Sequence, residues 1–275
     1  MPRSFKPGAS VDLGQGLILR MLRSGAGRPL QPGDVVGVKY VGFFPPYSLA
    51  SVFDQNLDST ALFPFALGAG EVIPGWDQGL KDVRLGSVVE LTVPAELAYG
   101  AEGAGETIPP NSTLGFQVFL VGVQPPGASE PIFADPLRDF GVAVPDLPLG
   151  KAFLRKLDPT RVALGSDRAD IITGLEPEPQ VVLGLSGNDR ITASLTSPQL
   201  LAGGAGRDTV EIAAPAAAYR WRAIQTEGSA PLFRLEPRAA GLPTSWLLSV
   251  ERLQFSDLSV VLANPGGSAP QPAIT

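Results

Sequence analysis

Glu71-Val72-Ile73-Pro74-Gly75-Trp76-Asp77-Gln78-Gly79-Leu80 sets an extended apolar pair, a helix opening and a tryptophan side by side. Pro74 suits a first helical position, where its fixed φ and missing N–H cost nothing. Trp76, Leu80 and Val83 then recur at i, i+4 and i+7, which predicts one short helix with a single apolar face. An indole at the entrance of a short helix can floor an apolar pocket. The preceding Val72 and Ile73 leave backbone N–H groups for a ligand carbonyl. The alternative for the same tryptophan is plain core filling.

Working outward, residues 17–22 read as a first strand, closed by Ser24-Gly25-Ala26-Gly27. Val36, Val38 and Tyr40 alternate with their neighbours, so Tyr40 shares a face with core valines and looks toward the pocket. Residues 43–51 form a loop whose aromatics are expected to be exposed beside a binding surface. Phe63, Phe65 and Leu67 continue the alternation, as do Val89, Leu91 and Val93 before Pro94 stops the strand. Residues 95–110 make a flap, and Leu114, Phe116, Val118 and Leu120 line one side of a last strand. Gly68 and Gly70 are no nucleotide loop, because a phosphate fingerprint needs further glycines opening a long helix. The expected fold is α+β, an antiparallel sheet wrapped round one short helix.

The ordered segments Val38-Lys39-Tyr40-Val41-Gly42, Val52-Phe53-Asp54, Pro64-Phe65-Ala66-Leu67-Gly68, the opening stretch, Leu97-Ala98-Tyr99-Gly100 and Ile108-Pro109-Pro110-Asn111-Ser112-Thr113-Leu114 resemble the FKBP-type peptidyl-prolyl cis-trans isomerases. The resemblance covers roughly residues 12–124. It implies rotation about X-Pro bonds of polypeptide substrates, and macrolide-type inhibitors as further ligands. It also implies catalytic roles for Tyr40, Asp54, Ile73, Trp76 and Tyr99, with Phe53, Phe63, Phe65, Val72, Ile108 and Phe116 binding substrate. Taken singly, Phe63, Phe65 and Val72 are better explained as core, since any small barrel-like sheet would bury them. Asp54 and Tyr99 have no packing reason to stand where they do. Ala104 and Thr107 depart from the family, whose flap often carries larger residues there.

Composition narrows the chemistry independently. The 275 residues contain no His and no Cys, which removes imidazole bases, Ser-His-Asp triads, thiolate nucleophiles, disulfides and His- or Cys-based zinc sites. Prolyl isomerisation survives that subtraction, since it breaks no covalent bond and needs no cofactor. A net charge of −6 and a pI near 4.8 argue against nucleic acid as a partner. Hydrophobic content of 44% and a mean hydropathy of +0.16 allow a sizeable core. No run of about 18 apolar residues predicts a membrane span, and the first residues lack the apolar region of a signal peptide.

The length calls for more than one domain. The expected boundaries are a flexible start at 1–11, the isomerase-like domain at 12–124, a Pro-rich linker at 125–160, a repeat domain at 161–262 and a flexible tail at 263–275. A short helix is expected over 150–157. In the repeat domain, nine-residue segments begin at Gly165, Gly184 and Gly203, 19 residues apart. Each keeps Gly first, Asp sixth and an aliphatic eighth. They resemble the calcium-binding nonapeptide of hemolysin-type (RTX) β-rolls, a short all-β module. That resemblance implies calcium held by Asp170, Asp189 and Asp208, in pairs one coil apart. The 19-residue period departs from twice nine, so a metal-free remnant in which Asp only favours turns is the alternative.

Two functions stand at this point. One is an active isomerase joined to a calcium-responsive repeat module. The other is a non-enzymatic, calcium-dependent secreted scaffold or adhesion protein that grips Pro-containing segments. Location is open between the cytoplasm and type I export.

Overall fold

The computed structural model describes residues 5–57, 61–134, 162–165, 168–172, 181–224, 232–238 and 240–262. They divide into two compact units, one on each side of residues 140 and 141. The helix expected over 150–157, most of the expected linker and the tail at 263–275 lie outside the described residues, as do Ser166, Asp167 and Thr173 of the first repeat.

In the first unit the elements are β1 (Ser10–Asp12), β2 (Ile18–Arg23), β3 (Val35–Phe43), β4 (Val52–Gln55), β5 (Phe63–Ala66), α1 (Pro74–Gly79), β6 (Val88–Val93), β7 (Leu114–Gln124) and β8 (Ile132–Phe133). They make one antiparallel sheet of order β1-β2-β6-β7-β3-β4, with β5 also on β3 and β8 on β7. The long central pair β3 and β7 runs in register from Val35 opposite Gln124 to Phe43 opposite Gly115, with one bulge.

The helix α1 lies close on β6. A Cβ on Gly75 would stand 2.4 Å from Val93 Cγ1, so glycine permits that approach. Trp76 and Leu80 are thereby buried, each such side chain contributing roughly 1.5–3 kcal/mol. The helix is shorter than its apolar spacing suggested. Leu80 caps it with its N–H on the Trp76 carbonyl, and Asp82 turns the chain at φ 66°. Val83 therefore follows the helix instead of extending it, yet it stays fully buried.

The sheet is buried on both faces. Beside Phe116 and Val118 on the pocket side, Lys39, Gln117 and Phe119 are fully buried on the other. Leu62 and Phe133 close over the glycines of that second face at Gly37 and Gly122. Phe43, expected to be exposed in its loop, is only 3% exposed and packs against Tyr47, ring centroids 5.0 Å apart. The stretch expected to open the linker instead joins the sheet, since Ile132 and Phe133 pair with Val123 and Gly122.

The second unit contains β9 (Val162–Leu164), β10 (Ile171–Ile172), β11 (Val181–Leu183), β12 (Arg190–Thr192), β13 (Leu200–Ala202), β14 (Thr209–Ile212), β15 (Tyr219–Ile224), β16 (Leu232–Pro237), β17 (Ser245–Leu248), β18 (Arg252–Phe255) and β19 (Ser259–Val261). All are strands, as the all-β expectation for this half required. Successive strands of the coil alternate between two sheets. Strands β9, β11, β13 and β17 run parallel in one, and β10, β12, β14 and β18 run parallel in the other. Val162, Val181 and Leu200 are stacked partners, as are Ile171, Arg190 and Thr209, so the 19-residue sequence period is the length of one coil. The hairpin β15–β16 interrupts the coil after its third turn and extends the first sheet. Val182, Leu201 and Leu247 of one sheet belong to one core with Ile191, Val210 and Leu253 of the other. The eighth place of the repeat is thus an inward-facing position.

Candidate functional site

A cavity of about 600 Å³ opens in the first unit, lined by Tyr40, Phe53, Asp54, Phe63, Glu71, Val72, Ile73, Trp76, Tyr99, Ala104, Thr107, Ile108 and Phe116. Four strands contribute. Tyr40 comes from β3, Phe53 and Asp54 from β4, Phe63 from β5 and Phe116 from β7, while the flap brings Tyr99 and Ile108.

Trp76, 4% exposed, is the floor. Tyr40 and Phe116 meet it edge-on, both with centroids at 5.3 Å and interplanar angles of 81° and 88°. Phe63 meets it at 6.2 Å and 89°. Edge-to-face packing of this kind directs ring edges at the electron-rich faces and fixes the indole in one orientation. The helix entrance is fixed separately. Asp77 accepts the N–H groups of Gly68 and Gly70 at 2.7 and 3.0 Å, and Glu71 accepts that of Ala66 at 2.7 Å. Ile73 has no side-chain cap to offer the helix, and its N–H has no hydrogen bond to the described residues. That donor is free to meet a ligand carbonyl. Over the cavity the flap is closed on itself by reciprocal hydrogen bonds between Ala104 and Ile108 at 2.9 and 3.0 Å.

One polar pair interrupts the apolar wall. The Tyr40 hydroxyl donates to Asp54 Oδ2 at 2.6 Å. Burial, then the bond to Asp54 and its charge, hold the Tyr40 phenol above its ordinary range, so it remains a donor at neutral pH.

Of the residues singled out from the sequence, Tyr40, Phe53, Asp54, Phe63, Val72, Ile73, Trp76, Tyr99, Ile108 and Phe116 all line this cavity. Phe65 does not; it stands behind the floor, 3% exposed, its ring 5.7 Å from Trp76. Glu71 lines the cavity and was missed, although a carboxylate next to Val72-Ile73 was the available signal. The departures Ala104 and Thr107 sit in the wall itself.

The three repeat aspartates form a column along one edge of the coil, 9%, 1% and 0% exposed at Asp170, Asp189 and Asp208. Asp189 Oδ1 accepts the Asp170 N–H at 2.8 Å, Asp208 Oδ1 accepts the Asp189 N–H at 2.9 Å, and Glu251 accepts the Asp208 N–H at 2.7 Å. The second oxygens of Asp189 and Asp208 are buried with no partner. Each lies against the first glycine of its own repeat: a Cβ on Gly184 or Gly203 would stand 2.3 or 2.4 Å from them. The spacing of first Gly and sixth Asp is therefore a packing requirement. Burial pushes the Asp189 carboxyl up to about 8, with the charges of Asp170 and Asp208 adding and the Asp170 N–H opposing. Asp208 is pushed up to about 6, again chiefly by burial. Among the described residues no three acidic side chains gather in a group that could hold a metal ion.

The family comparison bears on the first unit. A family model described as FKBP-type peptidyl-prolyl cis-trans isomerase matches residues 27–121. The FK506-binding protein of Neisseria meningitidis serogroup B is 40% identical over 108 residues, which are 39% of this chain and 96% of that protein. Peptidyl-prolyl cis-trans isomerase FKBP53 of Arabidopsis thaliana is 42% identical over 111 residues, 40% of this chain and 23% of that one. The crystal structure of a peptidyl-prolyl cis-trans isomerase from Pseudomonas syringae pv. tomato shares 36% identity, with a TM-score of 0.37 over 43% of this chain and 83% of its own. The match thus spans nearly all of the small bacterial relative and about a quarter of the long plant one.

Proposed function

This chain belongs, through residues 27–121, to the FKBP-type peptidyl-prolyl cis-trans isomerase family, and we propose that it catalyses rotation about X-Pro bonds in polypeptides. The observation that carries this is the cavity floored by Trp76 and walled by Phe53, Phe63 and Phe116, with the Tyr40–Asp54 pair, Glu71, Tyr99 and Thr107 as its polar side chains and the Ile73 N–H as a free donor. The rotation barrier of roughly 18–20 kcal/mol arises from amide resonance. A prolyl ring seated on Trp76 would carry its amide out of water, where the polar planar form loses solvation while the twisted form packs against apolar walls. The Ile73 N–H would hold a neighbouring carbonyl in place. No proton moves and no bond breaks. The same cavity suits macrolide-type inhibitors, and no helix among the described residues is long and apolar enough to cross a membrane.

An exchange measurement by NMR, or a protease-coupled assay, on a short X-Pro peptide tests the proposal. Acceleration over background at micromolar protein is expected, and its absence would leave only the gripping scaffold. Asp54 is exposed, so Asp54→Ala should leave the melting temperature within a few degrees while lowering kcat/KM by about tenfold, as Tyr40 loses its acceptor. Undiminished activity in this variant would remove Asp54 from the machinery.

Calcium in the second unit rests on the repeat resemblance. The donor set does not fit a shell of six to eight oxygens, because the aspartates stand one per coil and Asp189 and Asp208 each commit an oxygen to a backbone N–H. The role this geometry supports is a metal-independent capping ladder. Calorimetry in Ca²⁺ and in EDTA separates the two: equal transitions for residues 162–262 are expected, and a rise with Ca²⁺ would restore the metal.

A further inference from the structure

We infer that the mouth of this pocket selects prolines flanked by lysine or arginine. The inference rests on the isomerase reading and adds to it the class of substrate. The charged side chains in the cavity wall are Asp54 and Glu71, both exposed carboxylates. Each is anchored through one oxygen only, Asp54 Oδ2 on the Tyr40 hydroxyl and Glu71 Oε2 on the Ala66 N–H. The flap adds Glu102 and Glu106, exposed on either side of the wall residue Ala104. No lysine or arginine occurs in residues 40–80 or 85–134, the stretches that build the whole cavity. Among the described residues no ion pair neutralises any of the four carboxylates.

An apolar cavity rimmed by one sign of charge concentrates the field at its mouth, because the low-dielectric walls carry little of it. A cation one residue from a proline seated on Trp76 falls within about 8–10 Å of that rim, inside the screening length at moderate salt. A carboxylate in the same place is repelled.

The test compares three peptides identical but for the residue before proline: Lys, Leu or Glu. At an ionic strength near 20 mM, kcat/KM for Lys-Pro is expected to exceed that for Glu-Pro by about tenfold or more, narrowing to about twofold in 1 M NaCl. The variant Glu102→Gln/Glu106→Gln removes two carboxylates that lie outside the cavity wall. It should reduce the low-salt ratio by about threefold and leave Leu-Pro turnover unchanged. If no peptide is accelerated, the isomerase reading itself falls. If Leu-Pro is accelerated but Lys-Pro and Glu-Pro are turned over alike at low salt, or the double variant keeps the full ratio, the charge selection is overturned and the isomerase stands.

Discussion

Replacing Trp76 with alanine is expected to lower kcat/KM for an X-Pro peptide by roughly 100-fold and to cost about 3–5 kcal/mol of stability. The indole is 4% exposed and is the surface on which Tyr40, Phe63 and Phe116 converge. Without it those rings lose the face that fixes their angles, and the prolyl ring loses its floor. Trp76→Leu fills part of the space and guards against simple unfolding; it should retain a cooperative transition yet remain at least tenfold impaired. Phe65→Leu supplies the contrast. Its side chain supports Trp76 from behind without lining the cavity, so it should lose about 1 kcal/mol of stability and less than threefold in activity. Rates by exchange spectroscopy and melting by circular dichroism decide. A Trp76→Leu protein with parental kcat/KM would show that the floor is dispensable.

The second unit should be markedly more stable at pH 5 than at pH 8. Asp189 titrates near 8 in the folded chain, whereas an unfolded aspartate titrates near ~4. The folded state therefore holds a proton that the unfolded state releases. Stability is complete below about pH 4, declines as pH rises toward 8, and is level above that. At about 1.4 kcal/mol per unit the loss is of the order of several kcal/mol, most of it from Asp189, and Asp208 adds its share between about pH 4 and 6. Asp170 and Glu251 are the carboxylates whose charge bears on the Asp189–Asp208 pair, and both act in the same direction as burial. Asp189→Asn should keep the cap on the Asp170 N–H and flatten the profile, while Asp189→Ala should destabilise at every pH. Urea unfolding from pH 4 to 9 in EDTA measures it; a midpoint independent of pH would show that the column stays ionised when folded.

Much of the first unit was legible because its signals are local. Pro74 marks the helix start, period-2 runs mark β3, β6 and β7, and paired aromatics surround one tryptophan. What escaped was set by tertiary contact. Period-2 reading assigns one face of β7 to the core, yet Gln117 and Phe119 are buried on the other, and Ile132 and Phe133 join as an added strand. Phe65 and Phe63 alternate identically in sequence, and only the position of Trp76 sorts the wall from its backing. The repeat was visible as spacing, but its physical content was not. The motif suggests a ligand, while the fold shows Asp189 and Asp208 serving backbone N–H groups and pressed against their own glycines.

The 19-residue stacking of the second unit also governs how it can be assembled and lengthened. Each strand from β9 to β12 finds its partners one coil away in sequence, so a new turn needs only its predecessor as template. Such an array propagates from a nucleus in steps of equal length, and its cooperativity is a sum of neighbour terms. A tandem copy of residues 184–202 would add one rung to each sheet, repeat the carboxyl cap and leave every existing contact type unchanged. Length is thus a variable that duplication can alter without redesign.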